Sequence, residues 1–219
     1  AQLIRDSPTL NVLINNAGIM PFDDSSGRID DAVSRQILDT NLLGPIRLTS
    51  ALIEHLKAQP RATIIHNTSV LAYVPIATNA VYSASKAALH SYALSQRFML
   101  KGTSVTVQEI APPWVDTDLI KKSGDPRAMP LDAFIAETLA KLETATSEVI
   151  VDGITALRAN VGPNEHALVN QFNQSIIDIH HETARAETWF VAYHVRKDGD
   201  TTYLDRFGGR YLDKLKNGN

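Results

Sequence analysis

Tyr82-Ser-Ala-Ser-Lys86 sets a phenol and an ammonium four residues apart, the spacing at which two side chains share one helix face about a turn from each other. A phenol with its ordinary pKa of about 10 is a poor base near neutrality, whereas a neighbouring cation favours phenolate, each unit of depression being worth about 1.4 kcal/mol. Such a tyrosine can exchange the proton that accompanies hydride transfer to or from a carbon–oxygen bond. Ser69 stands thirteen residues earlier, just past an apolar run, where its hydroxyl can hold the substrate oxygen. Alone, a Tyr-x-x-x-Lys pair is an ordinary solvated helix face, so the chemistry depends on the company it keeps.

That company has to be positioned by secondary structure. Asn11-Val-Leu-Ile-Asn15, between Pro8 and Gly18, reads as a strand buried on both faces of a parallel sheet. A long helical pattern runs from Ile29 to Lys57, with Ile37, Leu38, Leu42, Ile46, Leu48, Leu52 and Ile53 spaced as an apolar face, and Pro60 closes it. Ala62 to His66 reads as a second strand, Val81 to Lys101 as a second long helix ended by Gly102, and Ser104 to Ile110 as a third strand stopped by Pro112-Pro113. Strand and helix alternating at this spacing predict right-handed crossovers and an α/β fold, a partial Rossmann-like, doubly wound parallel sheet. Trp114 to Pro130 reads as an irregular flap, Leu131 to Leu142 as a helix, Val149 to Val151 as a short strand and His166 to Ile179 as another helix.

Asn15-Asn-Ala-Gly18 falls at the carboxyl end of the first strand, the edge at which open α/β sheets bind ligands, and Ala17 and Gly18 permit close approach there. Asn41 lies in the first long helix beside Gly44-Pro45, where an amide can also satisfy backbone groups freed by the break. His180-His181-Glu182 is the one local cluster of metal-ligand types, but adjacent helical residues diverge by about 100°, and no metal site is expected. Phe98 and Met99 read as core or oligomer contacts.

Composition bounds the rest. The 219 residues are 44% hydrophobic and 21% charged, the usage of an ordinary globule, with a core to match. A net charge of -3 gives no basic surplus for nucleic acid, and zero cysteines exclude disulfides, thiolate metal sites and cysteine nucleophiles. No apolar run approaches the roughly 18 to 20 residues of a membrane span, and no signal pattern opens the chain, so neither nucleic acid nor membrane is an expected partner and the cytoplasm is the expected location.

Asn67-Thr-Ser69 followed by Tyr82-Ser-Ala-Ser-Lys86, with Asn15-Asn-Ala-Gly18 and Asn41-Leu-Leu-Gly44 before them, resembles the short-chain dehydrogenase/reductase family and, within it, the DltE-like oxidoreductases. The likeness runs from about residue 8 to 175. It implies an NAD(P)-dependent oxidoreductase interconverting an alcohol and a carbonyl on a small molecule, with the choice between NAD and NADP not readable. By resemblance Ser69 is the substrate-oxygen donor, Tyr82 the general acid/base, Lys86 the residue that lowers the tyrosine pKa and binds nicotinamide ribose, and Asn41 a support of the proton relay. Asn15, Ala17 and Gly18 are then cofactor residues on the adenosine side. Ala111-Pro-Pro-Trp-Val-Asp-Thr117 is similar to the family's Pro-Gly-x-x-x-Thr segment, with Pro112, Val115 and Thr117 at the nicotinamide and Pro113 in place of the glycine. A homodimer through the two long helices is implied as well.

The family's glycine-rich phosphate turn is not spelled anywhere in the chain, Gly18 being the first glycine. The first strand is therefore expected as a naked apolar edge, and a non-catalytic remnant acting as a binding or assembly module is the alternative to an enzyme. The division expected is 1–180 for the catalytic portion and 181–219 for a tail. In that tail Trp189, Phe190, Tyr193, Tyr203, Phe207 and Tyr211 flank Asp198-Gly199 in a β-hairpin pattern. Residues 184–194 and 206–213 resemble strands of SnoaL-like domains, of the nuclear-transport-factor-2 type.

Overall fold

The computed structural model describes residues 2–120, 124–159, 183–198 and 201–216. The chain divides into two compact units, Ala1–Val161 and Gly162–Asn219.

In the first unit the elements follow the alternation of the sequence: α1 (Gln2–Asp6), β1 (Val12–Asn15), α2 (Asp31–Leu38), α3 (Gly44–Lys57), β2 (Ala62–Asn67), α4 (Ala80–Met99), β3 (Val105–Ile110), α5 (Leu131–Leu142) and β4 (Glu148–Val149). The four strands form one parallel sheet in the order β1-β2-β3-β4. This is the Rossmann-like α/β arrangement. In the second unit β5 (Thr183–Asp198) pairs antiparallel with β6 (Thr201–Lys216). The expected helix at 166–179 and the His180-His181-Glu182 cluster lie outside the described residues.

Register decides which side chains share a face. Leu13 and Asn15 on β1 stand level with Ile64 and His66 on β2, which stand level with Val107 and Glu109 on β3. Helices α3 and α4 cover this face. Leu52 and Leu56 of α3 join Leu13, Ala62, Ile64 and Val105 in the main apolar cluster, while Leu89 and Ala93 of α4 are buried further along. On the opposite face the Gln108 amide donates to the carbonyls of Leu142 and Thr146 at 3.3 and 3.1 Å, which brings the end of α5 there.

Two expectations are corrected. The strand at Asn11 to Asn15 is not buried on both faces: β1 pairs only with β2 among the described residues, and Val12 and Ile14 are 45% and 55% exposed. Nor is the segment from Ile29 to Lys57 one helix. It begins at Asp31, capped by the Asp30 carboxylate accepting from the Ala32 and Val33 amides, and is interrupted by a π turn at Asp39–Leu43. There the Gly44 amide bonds back to the Asp39 carbonyl, five residues away. A Cβ on Gly44 would stand 3.2 Å from that carbonyl oxygen, a tight contact that glycine avoids. With the helix out of phase on the two sides, Leu38 and Leu48 fall outside the apolar face expected of them, at 37% and 44% exposed.

Leu56→Ala deletes a fully buried side chain from the main cluster. It is expected to cost about 2–5 kcal/mol in denaturant unfolding, against less than about 0.5 kcal/mol for Leu38→Ala on the surface of α2. Equal costs for the two would place the core elsewhere.

Candidate active site

The carboxyl ends of β1, β2 and β3 and the first turns of α4 converge on one point. Ser69 stands two residues past β2, in extended backbone, and opens a short 3-10 turn over Val70–Ala72 in which its Oγ accepts from the Leu71 amide at 3.1 Å. Tyr82 and Lys86 lie on the inward face of α4, 5% and 3% exposed. The Ser69 hydroxyl lies close enough to the Tyr82 hydroxyl to favour its phenolate form. The Lys86 ammonium donates to the Asn67 carbonyl at 2.7 Å and stands 5.5 Å from the centre of the Tyr82 ring. The three side chains singled out for chemistry therefore meet.

Their electrostatics differ from the sequence expectation in one respect. Burial pushes the Tyr82 phenol up to about 12, with the nearby Ser69 hydroxyl acting in the opposite direction. The Lys86 ammonium does not depress it: burial brings Lys86 itself down to about 8. The physical reason is desolvation, which penalises the charged form of both groups.

The loop after β1 is sewn onto α4 by side chains. Asn41, fully buried within the π turn, accepts from the Ile19 amide and donates to the Ile19 carbonyl, both at 2.9 Å, and donates to Ser85 Oγ at 3.2 Å. The Asn79 amide donates to the Pro21 carbonyl, and the Asp23 carboxylate accepts from the Ala80 and Val81 amides at 2.9 Å each, capping α4 in the turn that carries the tyrosine. Asn79 and Asp23 went unnoticed in the sequence. An acidic residue that caps a helix 57 residues further along leaves no local signal.

The remaining candidates divide. Gly18 lies beside the site, where a Cβ would stand 3.5 Å from Asn41 Oδ1 and 3.7 Å from Lys86 Nζ. Ala17 precedes it. Asn15 points inward instead, its amide donating to Thr49 Oγ1 at 3.0 Å and to His66 Nδ1 at 3.2 Å. The Pro112 carbonyl accepts from Val70, which anchors the 3-10 turn. Val115 is buried and pairs with Met129, so the 114–130 segment folds back on itself, and Thr117 lies at the foot of a short 3-10 turn over Asp118–Ile120. Pro113 is accommodated without a cis peptide bond. Two shallow hollows of about 480 and 430 Å³ lie away from this chemistry, one at the amino ends of the strands beside Arg61 and Thr103, the other beside α2 at Phe22 and Asp30. Ligands of open parallel sheets gather at the carboxyl ends, where Ser69, Tyr82 and Lys86 are.

The chain belongs to the short-chain dehydrogenase family, whose sequence pattern matches residues 1–128. It is 36% identical over 176 residues to the uncharacterized oxidoreductase DltE of Bacillus subtilis, covering 78% of this chain and 70% of that protein. It is 31% identical over 150 residues to an uncharacterized oxidoreductase of Staphylococcus epidermidis, of which it spans 64%. Among solved structures it is similar to a short-chain dehydrogenase from Burkholderia cenocepacia in complex with NADP, with a TM-score of 0.68, 25% identity, and coverage of 76% of this chain and 70% of the other. No helix among the described residues is long and apolar enough to cross a membrane.

Because Lys86 titrates near 8 in the fold and near its ordinary 10.5 when unfolded, the unfolded chain binds the extra proton between those values and stability rises with pH across that window. Replacing it by Lys86→Met is expected to remove this rise and to stabilise the protein below pH 8 by up to roughly 3 kcal/mol. Denaturant unfolding of both proteins from pH 7 to about 10.5 checks it; parallel curves would mean that Lys86 is solvated.

Proposed function

We propose that the chain is an NAD(P)-dependent oxidoreductase that interconverts an alcohol and a carbonyl on a small molecule. The reading is carried by the meeting of Ser69, Tyr82 and Lys86 at one buried point in a member of this family. Ser69 holds the substrate oxygen. Tyr82, protonated at neutral pH, donates a hydrogen bond to a carbonyl and gives up its proton as negative charge develops on that oxygen. A proton lost from Tyr82 is replaced by way of Lys86, whose pKa near 8 lets it exchange with solvent close to neutrality.

The residues present fit the nicotinamide half of such a cofactor. Lys86 spends one of its three N–H groups on the Asn67 carbonyl and keeps two for a ribose diol, and the absent side chain at Gly18 leaves room between Asn41 and Lys86. Ala17, Pro112, Val115 and Thr117 complete the expected wall, and Asn15 supports it from beneath. When bound, NAD or NADP supplies or accepts the hydride. The cofactor of the Burkholderia neighbour makes NADPH the first to test. Asn41 acts as a positioning group, its amide being committed to Ile19 and Ser85. A homodimer is part of this reading, since α3 and α4 expose Leu48, Leu94, Phe98 and Met99.

A second reading, a binding or assembly module without turnover, is favoured by the edge of β1, which among the described residues pairs only with β2 and exposes Val12 and Ile14. The likeness of the tail to SnoaL-like strands belongs with that reading. Titration with NADPH and NADH, followed by cofactor fluorescence, separates the two. Saturation at micromolar nucleotide is expected for the enzyme, with Tyr82→Phe binding equally well while losing about 10²- to 10⁴-fold in reduction of a panel of aldehydes and ketones. No binding up to millimolar nucleotide would leave the module.

A further inference from the structure

Among the described residues Glu109 is the only acidic side chain that is fully buried, at 0% exposed, and it lies on the face of β3 that carries the core residues Val105 and Val107. A carboxylate withdrawn from water costs several kcal/mol unless it is paired and hydrogen-bonded, so its partners show what it holds. Thr68 Oγ1 donates to Glu109 Oε1 at 2.8 Å while also reaching the Ile110 carbonyl at 3.1 Å. His90 Nδ1 stands 2.8 and 2.9 Å from the two carboxylate oxygens, and an Arg97 guanidinium nitrogen stands 4.0 Å away. Thr68 is the residue before Ser69. His90 lies four residues past Lys86 and eight past Tyr82 on the same stripe of α4.

A second carboxylate repeats the arrangement on the other side of the serine. Tyr73, which closes the 3-10 turn that Ser69 opens, donates its hydroxyl to Glu148. Arg158 binds both Glu148 oxygens, at 3.1 and 2.9 Å, and lies 4.9 Å from the Tyr73 ring centre. His90 stands between the two acids, 3.8 Å from Glu148 and edge-on to the Tyr73 ring at 5.2 Å. Ligand atoms of His90, Glu109 and Glu148 all lie within 4.8 Å, as metal ligands would. A guanidinium already stands at each of the two carboxylates, however, so no metal ion is needed to compensate them.

We propose that Glu109 is a positioning residue, fixing the Ser69 hydroxyl against the Tyr82 phenol by gripping the residue before the one and the helix that carries the other. The role rests on the reading of Ser69 and Tyr82 given above. The grip itself is testable without nucleotide or substrate. With fluorotyrosine incorporated throughout and the Tyr82 resonance assigned by its loss in Tyr82→Phe, Thr68→Val and Glu109→Gln are expected to displace that resonance. Thr68→Ser, which keeps the hydroxyl, is expected to leave it in place. Melting temperatures of the Thr68 variants are expected within a few degrees of the parent. An unmoved resonance in Thr68→Val, or one displaced equally in Thr68→Ser, overturns the proposal, and the Thr68 pair decides it if Glu109→Gln does not fold. A melting temperature raised by added zinc would also overturn it, by making the trio a metal site. Failure of NADPH to bind the parent protein would sink the enzymatic reading while leaving the fluorine result to stand for the grip.

Discussion

A row of three buried polar side chains, Asn15, His66 and Glu109, crosses the sheet in register one layer beneath the site. Below it the interior is Leu13, Ile64 and Val107; above it the chain must present hydroxyls and an ammonium. The row is the boundary between the two, and each member is satisfied. Asn15 donates to Thr49 and to His66 Nδ1, so that ring nitrogen is an acceptor and Nε2 donates to Gln96. That tautomer is the neutral imidazole, in keeping with burial lowering the His66 pKa. Helices α3 and α4 are thereby tied to the sheet at one level, which fixes how far Tyr82 and Lys86 stand above it.

Energetics at the site follow from the same enclosure. Lys86, at 3% exposed, has one carbonyl and one aromatic ring for company, and desolvation carries its proton affinity down toward neutrality. Tyr82 moves the other way. Two groups that in water would titrate within about half a unit of each other are thus separated by burial alone. The outcome is a neutral phenol beside an amine whose proton affinity has been brought toward neutrality.

Much of this was legible in the sequence, and for identifiable reasons. Helix α5 spans Leu131–Leu142 as its apolar spacing implies, and β2, β3 and α4 fall within a residue or two of their expected limits, because Gly102, Pro60 and Pro112-Pro113 punctuate them. Ser69, Tyr82 and Lys86 could be picked out because two of them share a helix turn and the third ends a strand. What stayed hidden was long-range. Asp23 meets the start of α4 only through the fold, and Glu109 sits in a strand whose alternation invites a reader to point any acid outward. The parity was nonetheless there: Val105, Val107 and Glu109 occupy alternate positions, so an acid on that stripe had to be inside. The π turn was hidden for a different reason, since the apolar positions on either side of it each fit a helix and only their mutual phase is wrong.

That phase has a consequence for how the chain can tolerate change in length. A π turn accommodates one residue more than an α turn, so the segment from Asp39 to Leu43 behaves as an insertion absorbed in place. Removing the extra residue there would close an ordinary α turn and leave the helix downstream in nearly its present phase. Thr49, Leu52 and Leu56 would still face the sheet, but the wide turn that sets Asn41 against the Ile19 backbone it clasps would be gone. The placement of the asparagine is therefore a trait of the absorbed residue and not of the helix around it, gained or lost by one codon.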